Sequence, residues 1–249
     1  MKLLTVATLS IGLLGFSGMI RAENASGQSY YGTINVGYTH AYGPPGYPSV
    51  PGQPSIILVS PFNTTPIAFN ALKNMILPDT NGVTSLSSLP PPAMGSFDFK
   101  AIASQQVYFG EWSNSGVDND PTRVVYYSGE TAGRVLPSTN VTYAVQGINN
   151  YSGTNLLTGE LTASFGTAAP ALTGTLSNNS LKIQLSAPIS TADASFSGYA
   201  IVRNASTQSL LSSGTTQGSF FGAGTTASIA GITKFTNRNY DTAFGGVVK

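Results

Sequence analysis

From residue 141 onward, apolar and polar side chains alternate with a period of two. Val141, Tyr143 and Val145 alternate with Thr142, Ala144 and Gln146, and Leu161, Ala163 and Phe165 with Glu160, Thr162 and Ser164. Leu181, Ile183 and Leu185 likewise alternate with Lys182, Gln184 and Ser186. Successive side chains of a strand point to opposite faces, so this pattern predicts antiparallel sheet with one dry and one wet face. The turns carry Gly153, Asn178-Asn179 and Gly214, which tolerate positive φ. Further runs at Arg123–Gly129, Leu172–Leu176, Ala194–Arg203, Thr216–Gly222, Ala227–Phe235 and Thr242–Val248 bring the expectation to eight or nine strands. Eight strands close a barrel whose interior is filled by side chains. Gly198, Gly222, Gly231 and Gly245 fall inside these runs, where strands bend around a small barrel. A barrel spanning an outer membrane needs outward apolar bands and aromatic girdles. The alternate face here is Ser, Thr, Gln and Lys, so a protein that is not integral to the membrane is expected.

The first half reads differently. Prolines cluster at Pro44, Pro45, Pro48, Pro51 and Pro54 and again at Pro90-Pro91-Pro92, whereas after Pro121 only Pro137, Pro170 and Pro188 remain. Proline removes a ladder donor, so the first half is loop-rich. Thr65 as cap, Pro66 at the first position and the stripe Ile67, Ala68, Ala71, Leu72, Met75 and Ile76, stopped by Pro78, predict one short helix of about eleven residues. Upstream, Tyr30 to His40 reads as a strand with Tyr30, Gly32, Ile34, Val36, Tyr38 and His40 on one face. The fold class is therefore mainly β: a C-terminal eight-stranded antiparallel β-barrel with an N-terminal loop-rich β domain containing one short helix.

The extreme N-terminus adds an address. Met1-Lys2, an apolar run from Leu3 to Leu14 and the small residues before Ala22 have the layout of a secretory signal peptide over 1–22. The remaining chain divides into 23–121 and the barrel part 122–249. Without its signal the chain carries nine basic and ten acidic residues, too even a balance for a partner made of phosphates, so nucleic acid is excluded. There is no cysteine, which excludes disulfides, thiolate metal sites and an N-terminal lipid anchor.

Chemistry is limited by the single histidine, His40. A hydrolytic triad around it would need an activated serine, and no nucleophile elbow occurs; zinc sites draw on several His or Cys ligands. The carboxylates are scattered, so no enzyme is expected. Haem iron, in contrast, can be held by one imidazole with aromatic side chains against the porphyrin. Tyr30, Tyr31, Tyr38, Tyr42 and Tyr47 surround His40, and Gly43-Pro44-Pro45-Gly46 follows it. From residue chemistry alone, a solvated loop histidine among ordinary surface tyrosines is the favoured reading.

Four segments carry a family resemblance: Val107–Ser113 (VYFGEWS), Tyr143–Tyr151 with Gly147-Ile148-Asn149, Gly218–Gly222 (GSFFG) and Asp241–Gly246 (DTAFGG). They resemble the hemophilins, secreted Gram-negative proteins with a C-terminal barrel related to that of transferrin-binding protein B. One departure is Ala227–Gly231, which lacks the acidic residue that the transferrin-binding relatives have in that segment. The resemblance implies haem b as bound cargo and an N-terminal clamp or handle, 23–121, that carries the site. It also implies release through a surface lipoprotein assembly modulator translocon and delivery to a TonB-dependent outer-membrane receptor. On that basis His40 is the expected axial ligand, with a tyrosinate as the alternative to its imidazole; Tyr38 and Tyr42 flank the porphyrin, and Met75 or Met94 is the weaker candidate for the opposite axial position. Phe220, Phe221, Gly222, Phe244, Gly245 and Gly246 are the expected translocon-recognition residues. The alternative is a secreted protein of the same barrel type that grips a host protein or aids colonisation through the Tyr42–Pro54 surface, without haem.

Overall fold

The computed structural model describes residues 24–40, 42, 49–59, 66–87, 95–102, 105–166 and 169–249. The expected signal peptide lies outside them. The N-terminal half contributes β1 (Asn24–Gln28), β2 (Ile34–Tyr38), β3 (Pro54–Leu58), β4 (Ile67–Ala68), α1 (Phe69–Lys73), β5 (Thr84–Leu86), β6 (Ser96–Ala101), β7 (Val107–Ser113) and β8 (Val124–Glu130). The remainder is β9 (Val141–Ile148), β10 (Leu157–Ser164), β11 (Ala171–Ser177), β12 (Leu181–Ser190), β13 (Ser195–Asn204), β14 (Leu210–Phe221), β15 (Ser228–Phe235) and β16 (Thr242–Val248).

Strands β9 to β16 form a closed antiparallel barrel in which β16 returns to pair with β9, Phe244 opposite Gly147. Its inward positions, among them Tyr143, Leu161, Leu185, Phe196, Phe220 and Phe244, fill the interior. Closure removes the unpaired edges that an open sheet of this size would expose. Of the nine expected strands, the run over Arg123–Gly129 is the one outside the barrel. As β8 it pairs with β7 and β1 in a five-stranded sheet ordered β1-β8-β7-β6-β5.

That sheet is the middle of three layers. Every residue of β7 is buried, because its two faces meet different partners. Val107 and Phe109 pack with Ile148, Ala230, Ile232 and Ala243 of the barrel, while Tyr108 and Trp112 pack with Ile34, Ile56, Phe69 and Phe97 on the far side. The close approach at the barrel side explains Gly245: a Cβ there would stand 2.5 Å from the Phe109 ring. A polar clasp closes the same seam. Arg123 pairs with Glu111 at 2.8 Å and donates to the carbonyls of Asp241 (3.0 Å) and Arg238 (2.5 Å), and Glu111 accepts the N–H groups of Asn150 and Tyr151.

The third layer is the small sheet β2-β3-β4 with α1. Two expectations change here. The helix is Phe69–Lys73 rather than about eleven residues, because Ile67 and Ala68 pair with Ile56 and Ser55 and are drawn into the sheet; the Thr65 cap lies outside the described residues. The residues expected to complete its buried stripe are exposed, Met75 at 44% and Ile76 at 48%, with Leu77 at 89%. The strand expected over Tyr30–His40 is also shorter. It starts at Ile34, after Gly32 at φ +115°, and ends at Tyr38.

Candidate functional site

The even-numbered face of β2 runs from core to solvent. Ile34 is buried, Val36 half-buried, Tyr38 38% exposed, and His40, two residues past the strand, exposed. His40 is thus in line with the apolar face, as its parity requires, but beyond the point where anything covers it. The Tyr38 and His40 rings touch, with centroids 4.8 Å apart and planes tilted by 59°. Tyr42 and Val50 on the same hairpin are exposed at 78% and 50%.

Two buried polar residues hold this tip. Gln28, at the end of β1, turns its carboxamide toward β2: Oε1 accepts the Val36 N–H at 2.8 Å, and Nε2 donates to the carbonyls of Ile34 (2.7 Å) and Tyr30 (2.6 Å). A neighbouring strand would satisfy this outward donor and acceptor with its backbone; here one side chain does so and joins the two sheets. The Ser128 hydroxyl adds a bond to the Gly37 carbonyl at 3.0 Å. Thr39 closes the neck of the loop. Its N–H donates to Gln53 O (2.9 Å), its carbonyl accepts from Gly52 N (2.8 Å), and its hydroxyl donates to Val50 O (2.6 Å) and accepts from Gln53 N (3.0 Å). With Thr39 pointing inward, Tyr38 and His40 point outward.

The chain segment that forms this tip carries no formal charge of its own. From Asn24 through Leu72, 49 consecutive residues include no Asp, Glu, Lys or Arg. At the base of this region two cations of the barrel face the Tyr30 ring, the Arg238 guanidinium at 3.6 Å and Lys234 at 5.4 Å. A neutral, tyrosine-rich tip suits a flat apolar ligand better than an ionic one.

Of the expected site residues, Tyr38 and His40 are brought together and Tyr42 lies in solvent on the same hairpin. Met75 follows α1. The chain leaves β4 toward the Tyr38 end of the small sheet, since Ala68 is opposite Ser55 and Tyr38 opposite Pro54. Met94 and the loop residues 43–48 lie outside the described residues. Among the expected translocon residues, Phe220, Phe221 and Phe244 are buried and Gly245 sits against Phe109. Gln28 and Thr39 were not among the expected residues. Amide-to-backbone bonds leave no periodic trace, although the uncharged run around them is visible in the sequence.

Comparison with known proteins adds the following. Residues 19–124 match the family model described as the HphA N-terminal heme-binding domain, and residues 134–248 match that of the HphA C-terminal domain. Among solved structures, the apo haemoglobin receptor HpuA from Kingella denitrificans superposes with a TM-score of 0.56 at 17% identity, covering 93% of this chain and 88% of that one. HpuA from the same organism in complex with human haemoglobin gives 0.55 at 17% identity, covering 92% and 88%. At that identity the likeness is one of fold.

Proposed function

The chain belongs to the HphA, or hemophilin, family of haem-binding proteins, and from that premise we propose that it is a secreted haem carrier whose ligand is His40. The observation that carries this reading is that the half matching the heme-binding domain presents the chain's single histidine, exposed and in ring contact with Tyr38. In this reading the cargo is haem b, taken up outside the cell and handed to a TonB-dependent outer-membrane receptor. The expected signal segment and the barrel support export through a surface lipoprotein assembly modulator translocon. The role is carriage rather than catalysis.

Each residue has a part that follows from its chemistry. The imidazole would hold the iron through a nitrogen lone pair, as in other histidine-ligated haem proteins. Tyr38 and Tyr42 supply flat area at low entropic cost against the porphyrin. Thr39 and Gln28 hold the strand end from which the imidazole projects. An absorption titration of residues 23–249 with hemin tests the reading: a saturable Soret shift is expected, and no shift at micromolar hemin would reject it.

One observation favours a second reading. Tyr42 and Val50 are exposed on an uncharged surface of the kind that grips proteins, and HpuA, of the same fold, is seen with human haemoglobin. In that case the Tyr42–Pro54 surface holds a host protein and haem is not bound by His40.

A further inference from the structure

We propose that the cleft between α1, the start of β7 and the end of β8 binds a small zwitterion, an α-amino acid whose ammonium and carboxylate are both held. The inference stands apart from the haem-carrier reading, since neither Tyr38, His40 nor Tyr42 lines this cleft. Its volume is about 450 Å³, within the usual range of small-molecule sites. Asn70 and Lys73 are three residues apart on α1 and share a face of that helix. Tyr108 lies at the start of β7 and Glu130 ends β8. Ile102 and Ala132 supply apolar wall. Gln105 fixes the barrel side, its carboxamide accepting from the Ser228 hydroxyl at 2.6 Å and donating to the Thr226 carbonyl.

The residue that points to a ligand is Tyr108. It is 2% exposed, with its ring packed on Phe69 and Phe99, yet its hydroxyl makes no hydrogen bond with the described residues. A buried phenol normally finds a partner. Burial pushes this hydroxyl up to about 12, so at neutral pH it keeps its proton and is a donor. Because Tyr108 lines the cleft, that donor is open to an acceptor that enters it.

Two opposite charges define the rest of the ligand. Lys73 and Glu130 line the same cleft, and neither belongs to the two ion pairs of the described residues, Arg123–Glu111 and Lys249–Glu160. Gln106 Nε2 donates to Glu130 Oε2 at 3.3 Å and holds the carboxylate to its wall, while Gln106 Oε1 is buried without a partner. Acceptors thus gather at the β7–β8 corner. Donors gather toward α1: the Lys73 ammonium, the Asn70 amide and the Tyr108 hydroxyl, whose ring leans on Phe69. A lone cation meets Lys73 as well as Glu130, and a lone anion the reverse, so a singly charged ligand loses at one wall what it gains at the other. A zwitterion gains at both. Its ammonium faces Glu130, its carboxylate faces Lys73 and Tyr108, and its side chain lies on Ile102 and Ala132.

The test uses residues 23–249 without hemin, titrated at millimolar concentration with L-alanine, L-leucine, L-phenylalanine and L-glutamine and followed by amide chemical shifts. Saturable shifts at Gln106, Tyr108 and Glu130 are expected with at least one of the four. The matching primary amine and the matching carboxylate, each lacking one charge, should bind at least about tenfold more weakly. Glu130→Gln and Tyr108→Phe should each weaken the amino acid by about tenfold with unchanged circular dichroism, the second because it removes one hydroxyl and keeps the ring. No shift with any of the four would overturn the proposal. So would equal binding of the amine or the carboxylate alone, or undiminished binding by Tyr108→Phe. None of these results bears on hemin, whose Soret titration tests the carrier reading separately.

Discussion

Each barrel strand from β9 to β16 has a backbone ladder on both sides, whereas β2 has one ladder, to β3, and meets β1 through the Gln28 carboxamide. The barrel is also backed by a dry seam and the buried Arg123–Glu111 clasp. The hairpin with His40 lies over the core around Ile34, Ile56 and Phe69. Pairing thus thins toward the proposed ligand: the strand that meets it has one backbone ladder where each barrel strand has two, and its joint to β1 is made by side-chain hydrogen bonds. Local opening follows that gradient in proteins generally, and binding regions come from its weaker end.

The comparison breaks most severely at the clasp. Arg123→Ala leaves Glu111 charged and buried without its partner, and the loss should be about 3–5 kcal/mol of global stability, read by chemical denaturation. Wild-type stability in the variant would mean that the seam is held by its apolar contacts alone. Gln28→Leu should cost less, about 1–3 kcal/mol, since it strands the Val36 N–H and Ile34 carbonyl in a buried joint. Its effect should be local: faster amide exchange in β2 and weaker hemin binding, with barrel amides unchanged. Uniform loss of protection across both parts would erase the distinction between them.

Acidity separates the two regions more gently. Burial raises Asp98 and Asp241, both on the barrel side of the structure, to about 6. A carboxyl whose folded pKa exceeds its unfolded value binds its proton more readily when folded, so it destabilises above about 6 and that penalty disappears as pH falls toward 4. Asp120 behaves oppositely. Burial works against its charge, but hydrogen bonds from Ser115 and Thr122 outweigh this and hold it at about 2, so its stabilisation is lost only below about 4. Thermal stability should therefore rise by a few kcal/mol between about pH 7 and 4.5 and fall again below about 4. A monotonic loss on acidification would contradict it. The smallest effect is expected at Lys249, whose ion pair with Glu160 is exposed on both sides; Lys249→Ala should change stability by less than about 0.5 kcal/mol.

The barrel was legible in the sequence because its outer face is wet, so that Leu181, Ile183 and Leu185 stand out against Lys182, Gln184 and Ser186. β7 gave no such signal: buried on both faces, Val107–Ser113 shows no alternation, and it was marked only by resemblance. Helical spacing alone extends the helix too far because Ile67 and Ala68 satisfy it and strand pairing equally, and pairing with Ile56 and Ser55 decides between them. For the site, parity placed His40 and Tyr38 on one face, which the structure shows. Their exposure was not legible, since it depends on where the second and third layers stop covering β2.

The central claim, that the His40 tip is where haem binds, is tested most directly by the Soret spectrum of His40→Ala against the wild type at equal hemin. His40 is exposed, so the substitution removes the imidazole without opening a core. The expected result is a lost or shifted Soret band with unchanged circular dichroism. An identical Soret band in the variant would contradict the assignment and move the ligand away from this hairpin.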